Sequence, residues 1–126
     1  MNVAFLCVEN SCRSQMAEAL AQQIYSDKKI HFFSAGTKPA PVIDHHILEY
    51  LKEHGVEWHG KTKTIDQIEK PDIVVTMGCE IDCPYIPGAK IIAWDIEDPK
   101  GKDPAAYRHA LQEIIKNVKS LSKSFE

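Results

Sequence analysis

Cys7 and Arg13 are the two residues whose types and spacing most directly suggest a chemistry. Cys7 ends a short apolar run that begins at Val3, and Arg13 lies six residues later, where a segment with helical patterning begins. A tight loop between a strand and a helix N-terminus turns backbone N–H groups inward, and the helix dipole favours negative charge there. Such a loop stabilises a cysteine thiolate, and a planar guanidinium can grip an oxyanion through two parallel hydrogen bonds. The pattern therefore predicts a nucleophile at the base of an oxyanion-binding loop.

The loop between these two residues contributes further groups. Asn10 suits a position that requires a positive φ, and Ser14 can donate its hydroxyl toward a Cys7 thiolate. Glu9 would oppose anion binding if its carboxylate pointed inward and would be harmless if it pointed outward. Cys12 is open to two interpretations, a core residue or an off-pathway disulfide partner for Cys7. The predicted oxyanion-binding loop consists of Val8, Glu9, Asn10, Ser11, Cys12, Arg13 and Ser14.

An acidic turn, residues 95–99, follows the last predicted strand. Active sites of parallel sheets lie outside the carboxyl ends of the strands, so this turn is expected beside the oxyanion-binding loop. A carboxyl group there could protonate a departing oxygen, which otherwise leaves as a strongly basic group. We assign this role to Asp98 rather than to Asp95 or Glu97, because a proline follows it. An ordinary solvated turn is the alternative.

Cys79 and Cys83 are separated by three residues in a loop flanked by glycine and proline. A thiolate phosphatase needs no further thiol, whereas a reductase must supply two electrons and then be recharged. Thiol–disulfide exchange does this when a second thiol attacks the first and a third moves the disulfide to an exposed place. The four cysteines have Cys-x4-Cys and Cys-x3-Cys spacings, unlike the Cys-x2-Cys pairs of common zinc sites. Redox catalysis is favoured, and no metal site is predicted.

The run Asn10 to Glu18, with Cys7 before it, resembles the signature loop and first helix of the low-molecular-weight tyrosine phosphatase superfamily. Within that superfamily it is most similar to the thioredoxin-coupled arsenate reductases. The resemblance covers essentially the whole chain and implies a small flavodoxin-like α/β fold, with a four-stranded parallel sheet. It also implies that no cofactor is tightly bound and that thioredoxin is the electron donor.

The resemblance further implies a role for each reactive residue. Cys7 would attack arsenate held by the loop amides and Arg13, while Asp98 protonates the leaving hydroxide. Cys79 would then attack Cys7, which releases arsenite and leaves a Cys7–Cys79 disulfide. Cys83 would attack Cys79 in turn and present a Cys79–Cys83 disulfide to thioredoxin.

Two other functions stay open at this point. A low-molecular-weight phosphatase would hydrolyse phosphotyrosine or small phosphate esters through a phosphocysteine at Cys7. Lys100 counts against it, because an aromatic flank for phosphotyrosine is expected there. A non-enzymatic module that binds an anion or zinc is the third possibility. Four polar residues could either buttress the loop or hold a cation: Asn10, Glu18, Ser34 and Asp66.

Hydrophobic periodicity predicts the elements that position these groups. Strands are expected at residues 2–7, 30–35, 73–77 and 89–94. Helices are expected at 14–25, capped by Ser11 or Ser14, at 42–54, and from an N-cap at Asp103 to about 122, with a short helical turn at 64–69. Strands alternating with helices predict a parallel sheet with right-handed crossovers and helices on both faces.

The bulk composition fits one domain, residues 1–126, with 44% hydrophobic and 26% charged residues. A net charge of −3 argues against nucleic acid and anionic membranes as partners. Neither a membrane span nor a signal peptide is recognisable, so we expect a cytoplasmic protein. The resemblance implies that its ligand is arsenate or a phosphate-like oxyanion, and we expect a monomer. In that reducing compartment four cysteines indicate catalysis or metal binding rather than a disulfide framework.

Overall fold

The computed structural model describes residues 1–77 and 86–125. It contains an alternation of strands and helices, as the sequence predicts. The strands are β1 (Asn2–Cys7), β2 (His31–Gly36), β3 (Ile73–Thr76) and β4 (Lys90–Ala93). The α-helices are α1 (Arg13–Ile24), α2 (His46–Glu53) and α3 (Pro104–Ser120), and 3₁₀ helices occur at Ile65–Gln67 and Leu121–Ser124.

The four strands form one parallel sheet in the order β2-β1-β3-β4. The chain passes from β1 to β2 on one side and returns to β3 on the other side of β1. This is the flavodoxin-like arrangement, in which ligands bind outside the carboxyl ends of the strands where the winding reverses. The predicted fold class is confirmed, and the loop after β1 lies at that reversal point.

β1 is buried on both faces. Val3 and Phe5 belong to a large hydrophobic cluster with buried residues of α1, α2 and α3. Ala4 and Leu6 belong to a second, smaller cluster, against which Ile65 of the first 3₁₀ helix packs. The three α-helices therefore pack on the Val3 and Phe5 face of the sheet, and the first 3₁₀ helix packs on the opposite face. Burial on both sides explains the continuous apolar run of β1, and it fixes the position of the strand's carboxyl end.

α1 begins at Arg13, one residue before its predicted start, but its N-cap differs from the prediction. Cys12 occupies the N-cap position, and its side chain makes no capping hydrogen bond to any described residue. The expectation that Ser11 or Ser14 caps this helix is wrong. Ser14 lies inside the first turn, and its hydroxyl bonds to Cys7 instead.

α2 begins at His46, whereas the hydrophobic pattern predicts a start at Val42. One tertiary and one local hydrogen bond, both made by Asp44, hold the preceding segment outside the helix. The Asp44 N–H donates to the Ser11 carbonyl at 2.8 Å, and the Asp44 carboxylate accepts the His46 N–H at 3.0 Å. Val42 is 62% exposed, so its apolar side chain does not continue the buried face of α2.

α3 starts as predicted. The Asp103 carboxylate accepts the N–H of Ala106 at 3.0 Å, and Pro104 fills the first helical position, which are the preferred residue types at these places. Within residues 1–77 and 86–125, no helix combines the length and hydropathy needed to cross a membrane.

Candidate active site

The oxyanion-binding loop is held from outside by the segment that follows β2. Four carbonyl groups, three of the loop and that of Cys7 just before it, accept backbone hydrogen bonds of 2.8–3.3 Å from this segment. The bonds run to Cys7 from Thr37, to Val8 from Lys38, to Glu9 from Ala40 and to Ser11 from Asp44. Because each peptide unit is planar, an outward carbonyl leaves the next N–H pointing the opposite way. The loop amides are thereby turned toward the cavity above Cys7, which makes an anion-binding concavity.

Two donors converge on the Cys7 sulfur. Sγ lies 2.9 Å from the Ser14 hydroxyl and accepts the Asn10 N–H at 3.2 Å. Asn10 Nδ2 donates to the same Ser14 oxygen at 2.8 Å, which leaves the Ser14 proton free to point at the sulfur. Cys7 is only 4% exposed, so these donors replace water around it. Hydrogen bonds of this kind favour a thiolate.

A buried amide network supports the loop from behind. Asn10 adopts a φ of 52°, the positive value that the sequence predicts. Its Oδ1 accepts the Lys63 N–H at 2.8 Å and Gln15 Nε2 at 3.2 Å. Gln15 Nε2 also donates to the carbonyls of Asn10 and Lys61, and Gln15 Oε1 accepts Trp58 Nε1 at 2.9 Å. A network in which each buried group is paired makes the loop conformation rigid.

Arg13 joins the oxyanion-binding loop to the acidic turn. Its Nη1 donates to the Ile96 carbonyl at 2.8 Å, and its Nη2 lies 3.8 Å from Asp98 Oδ2. The backbone N–H of Lys100 donates to Asp98 Oδ1 at 3.0 Å. The guanidinium is thus anchored over the cavity with donors left for an anion, and a carboxyl group lies beside it.

The structure separates the three acidic residues of the turn. Asp98 lines the cavity above Cys7. Glu97 instead pairs with Lys102 at the surface, and the hydrogen bond from Lys102 lowers the pKa of the Glu97 carboxyl. Asp95 is exposed. Of the three acidic residues, Asp98 is therefore the one at the cavity, and its role as an acid stays a prediction.

The cavity has a volume of about 120 Å³, well below the roughly 300–1,000 Å³ of pockets for drug-sized ligands. Its walls come from the oxyanion-binding loop and from the chain around the acidic turn. The lining residues are Cys7, Val8, Glu9, Ser11, Cys12, Arg13, Asp98 and Lys100. A site this small, in which loop amides and Arg13 offer donors beside the carboxyl group of Asp98, suits a small tetrahedral oxyanion.

Glu9 stands at the rim of this cavity and is paired. Lys100 Nζ contacts Glu9 Oε1 and donates to Ser11 Oγ at 3.2 Å. The hydrogen bond with Glu9 raises the pKa of Lys100, so the lysine stays protonated. The negative charge that the sequence places in the loop is therefore compensated by a cation from the other side of the site.

Of the other three cysteines, the structure describes Cys12 alone. Cys12 is buried, and burial raises the pKa of its thiol, to which the nearby charges of Asp44 and Asp98 add. It therefore lacks the environment of a reactive thiolate. Cys79 and Cys83 lie outside the described residues.

Of the four residues considered for a cation, Glu18 and Ser34 meet: the Ser34 hydroxyl donates to Glu18. Lys63 Nζ lies 3.8 Å from the same carboxylate, while Asp66 is exposed. Burial raises the pKa of Glu18, although Ser34 and Lys63 act against it. In the part of the chain that the structure describes, no three His, Cys, Asp or Glu side chains form a cluster that could hold a metal ion.

Sequence reasoning missed the groups that act through tertiary contacts. The hydrogen bonds from residues 37–44 to the loop carbonyls depend on which strands are neighbours in the sheet, and no local sequence pattern predicts them. The bond from Lys63 to Asn10 spans 53 residues, and that from Lys100 to Glu9 spans 91. Gln15 could have been identified from the sequence, since a polar residue on the buried side of α1 needs hydrogen-bond partners there.

Comparisons with known proteins agree on one family. The family model for low molecular weight phosphotyrosine protein phosphatase matches residues 2–126. An arsenate reductase of Staphylococcus aureus is 34% identical over 127 residues, covering 94% of this chain and 95% of its own. The crystal structure of an arsenate reductase from Archaeoglobus fulgidus has a TM-score of 0.82 and 36% identity, covering 94% of this chain and 97% of that one.

A third relative carries the reductant in its name. The thioredoxin-dependent arsenate reductase of Corynebacterium glutamicum matches with a TM-score of 0.78 and 33% identity. The match covers 98% of this chain and 60% of the Corynebacterium chain.

Proposed function

The chain belongs to the low molecular weight phosphotyrosine protein phosphatase family, and we propose that within it this protein reduces arsenate to arsenite. One observation carries the proposal beyond the names of its relatives. The Cys7 sulfur lies at the base of a small cavity, with the Ser14 hydroxyl and the Asn10 N–H directed at it. A stabilised thiolate beneath an oxyanion site is the requirement for nucleophilic attack on arsenic.

The first step joins sulfur to arsenic. Arsenate binds to the inward loop amides and the free donors of Arg13, and the Cys7 thiolate attacks the arsenic atom. A hydroxide leaves on the opposite side, and Asp98 supplies the proton that turns it into water. The position of Asp98 beside Arg13, on the wall of the cavity, supports this assignment.

The next steps move two electrons. The Cys79 thiolate attacks the Cys7 sulfur, the S–As bond breaks, and its electron pair stays on arsenic, which leaves as arsenite. Cys83 then attacks Cys79 and frees Cys7 as a thiolate, and a dithiol such as thioredoxin reduces the Cys79–Cys83 disulfide. Cys79 follows two residues after Met77, whose N–H donates to the Leu6 carbonyl next to Cys7. The short sequence separation between Met77 and Cys79 supports the proposed exchange.

A phosphatase is the second candidate, because Cys7, Arg13 and Asp98 suffice for hydrolysis through a phosphocysteine. The small cavity and Lys100 at its rim favour an inorganic oxyanion over phosphotyrosine. If the protein is a phosphatase, Cys79 and Cys83 have no role in the reaction.

A coupled assay separates the two candidates. Arsenate, thioredoxin, thioredoxin reductase and NADPH are mixed with the protein, and hydrolysis of p-nitrophenyl phosphate is followed in parallel. We expect NADPH consumption that depends on arsenate and is lost in Cys7→Ser. Efficient ester hydrolysis without arsenate-dependent NADPH consumption would instead assign the protein to the phosphatases.

Arg13→Lys is a matched variant for the same assay. Lysine keeps the positive charge but loses the two parallel hydrogen bonds. We therefore expect the KM for arsenate to rise while the fold is retained.

A further inference from the structure

Glu9 and Lys100, here called the rim pair, connect the two sides of the cavity mouth. Glu9 belongs to the oxyanion-binding loop, and Lys100 follows the acidic turn, 91 positions later. Lys100 Nζ contacts Glu9 Oε1 and also donates to Ser11 Oγ at 3.2 Å. Both members line the cavity, so their contact bridges the opening between the two loops.

The rim pair has little to contribute to folding. Its side chains are partly exposed, 49% for Glu9 and 38% for Lys100, and exposed ion pairs add little stability. A pair of the same type, Glu97 and Lys102, lies in the neighbouring turn but does not belong to the cavity wall. Position, rather than stability, distinguishes the rim pair from this surface pair.

The position of the rim pair matters because of the direction in which the leaving oxygen points. A nucleophile at the base of the cavity displaces the oxygen on the opposite side of the central atom, which points toward the mouth. In an inorganic oxyanion this oxygen carries at most a proton. In an ester it carries an organic group, which must pass between the two loops where the rim pair joins them.

We propose that Lys100, held by Glu9, is a specificity-determining residue that restricts the site to inorganic tetrahedral oxyanions and excludes esters with a bulky organic group. This inference deepens the proposed function and rests on it. It assigns Lys100 no part in the transfer of electrons or protons.

The test compares the binding of two anions that the site cannot convert. Inorganic phosphate and phenylphosphonate are titrated into the reduced protein by calorimetry, at a pH where both carry the same charge. Loss of the lysine charge weakens the binding of both anions alike. The ratio of their Kd values therefore isolates the steric effect of Lys100 at the cavity mouth. In Lys100→Ala we expect the Kd for phenylphosphonate, divided by the Kd for phosphate, to fall by about five- to tenfold. A tenfold change in this ratio corresponds to the energy of one modest contact.

Glu9→Gln provides a second variant, because it releases Lys100 without removing it, and we expect a shift of the ratio in the same direction. Lys102→Ala is the matched control, since it removes a lysine from the surface pair, and it should leave the ratio unchanged. An unaltered ratio in Lys100→Ala, or an equal shift in Lys102→Ala, would overturn the inference.

The outcome is independent of turnover. If the wild-type protein binds phosphate but fails to reduce arsenate, the proposed function fails while the comparison of Kd ratios still decides the role of Lys100. If arsenate is reduced and the ratio does not move, the proposed function stands and the inference fails.

Discussion

At the scale of single residues, the chemistry depends on the surroundings of one sulfur atom. Cys7 and Cys12 are both buried and five residues apart, yet only Cys7 has a described hydroxyl and amide directed at it. Burial raises the pKa of the Cys12 thiol. The difference between a nucleophile and a core residue is therefore set by the donors Ser14 and Asn10 and not by burial.

Ser14→Ala tests this account. Removing the hydroxyl deletes one hydrogen bond to the sulfur, worth about 1.5 kcal/mol when the sulfur is charged, so the rate at which Cys7 reacts as a nucleophile should fall by about tenfold. The rate of Cys7 alkylation by iodoacetamide at neutral pH, followed by mass spectrometry, measures this directly. Ser34→Ala is the control, because it removes a buried hydroxyl that bonds to Glu18 instead. An unchanged alkylation rate in Ser14→Ala would show that the hydroxyl does not stabilise the thiolate.

At the scale of elements, the shape of the oxyanion-binding loop is imposed by β2 and the segment after it. Gly36 ends β2 and pairs with Cys7 in the sheet. A Cβ added at Gly36 would lie 2.5 Å from the Val8 carbonyl oxygen and 3.0 Å from the Asn10 nitrogen. These are backbone atoms of the loop, so the loop would have to move.

We therefore expect Gly36→Ala to weaken phosphate binding by about tenfold to a hundredfold, the cost of misplacing site groups by a fraction of an ångström to one ångström. Calorimetric titration with phosphate provides the measurement. Gly88→Ala is the control, because a Cβ there meets nothing within 4 Å. It should reduce stability through its positive φ of 83° without changing the Kd. Equal Kd values in wild type and Gly36→Ala would contradict the role given to this glycine.

A second element-scale contact, between α1 and β2, predicts a pH dependence. Burial raises the pKa of Glu18 above its ordinary value of 4.5, against the contacts with Ser34 and Lys63. A carboxyl whose pKa is raised on folding stabilises the fold fully below its unfolded value and loses that contribution as pH rises through the folded value.

Relative to Glu18→Gln, the wild-type protein should therefore lose stability as the pH rises from below 4.5 to neutral. Urea unfolding at several pH values measures the difference. Lys63→Met should enlarge the loss, because it removes the ion pair that favours the charged carboxylate. A wild type that gains stability over Glu18→Gln with rising pH would show that Ser34 and Lys63 outweigh burial.

Local patterns predicted the elements better than their tertiary contacts. The bounds of β1 and the Asp103 cap of α3 follow from hydrophobicity and cap preference, which act within a few residues. The start of α2 was predicted at Val42 because an apolar periodicity does not reveal that Asp44 bonds to the loop after β1. The positive φ of Asn10 was readable from residue type, whereas the pairing of Glu9 with Lys100 depends on the topology of the whole sheet.

At the scale of the whole molecule, the chain has a net charge of −3, and the charges that line the cavity are paired. Arg13 lies beside Asp98, and Lys100 contacts Glu9. The loop amides that point inward therefore add donors for an anion to a site whose side-chain charges are balanced. The winding of the sheet also brings the acidic turn after β4 to the loop after β1. One cavity is therefore lined by the proposed nucleophile Cys7, the proposed oxyanion ligand Arg13 and the proposed acid Asp98.

In the proposed mechanism Cys7 and Cys79 form a disulfide as arsenate is reduced, and one experiment tests this step most directly. Cys83→Ser is mixed with arsenate in the absence of any other reductant, and arsenite is quantified while the disulfides are mapped by peptide mass spectrometry. The exchange from Cys7 to Cys79 predicts a single turnover, with one arsenite released per chain and a disulfide between Cys7 and Cys79. Arsenite formation with a free Cys79 thiol, or with Cys7 joined to Cys12, would contradict it.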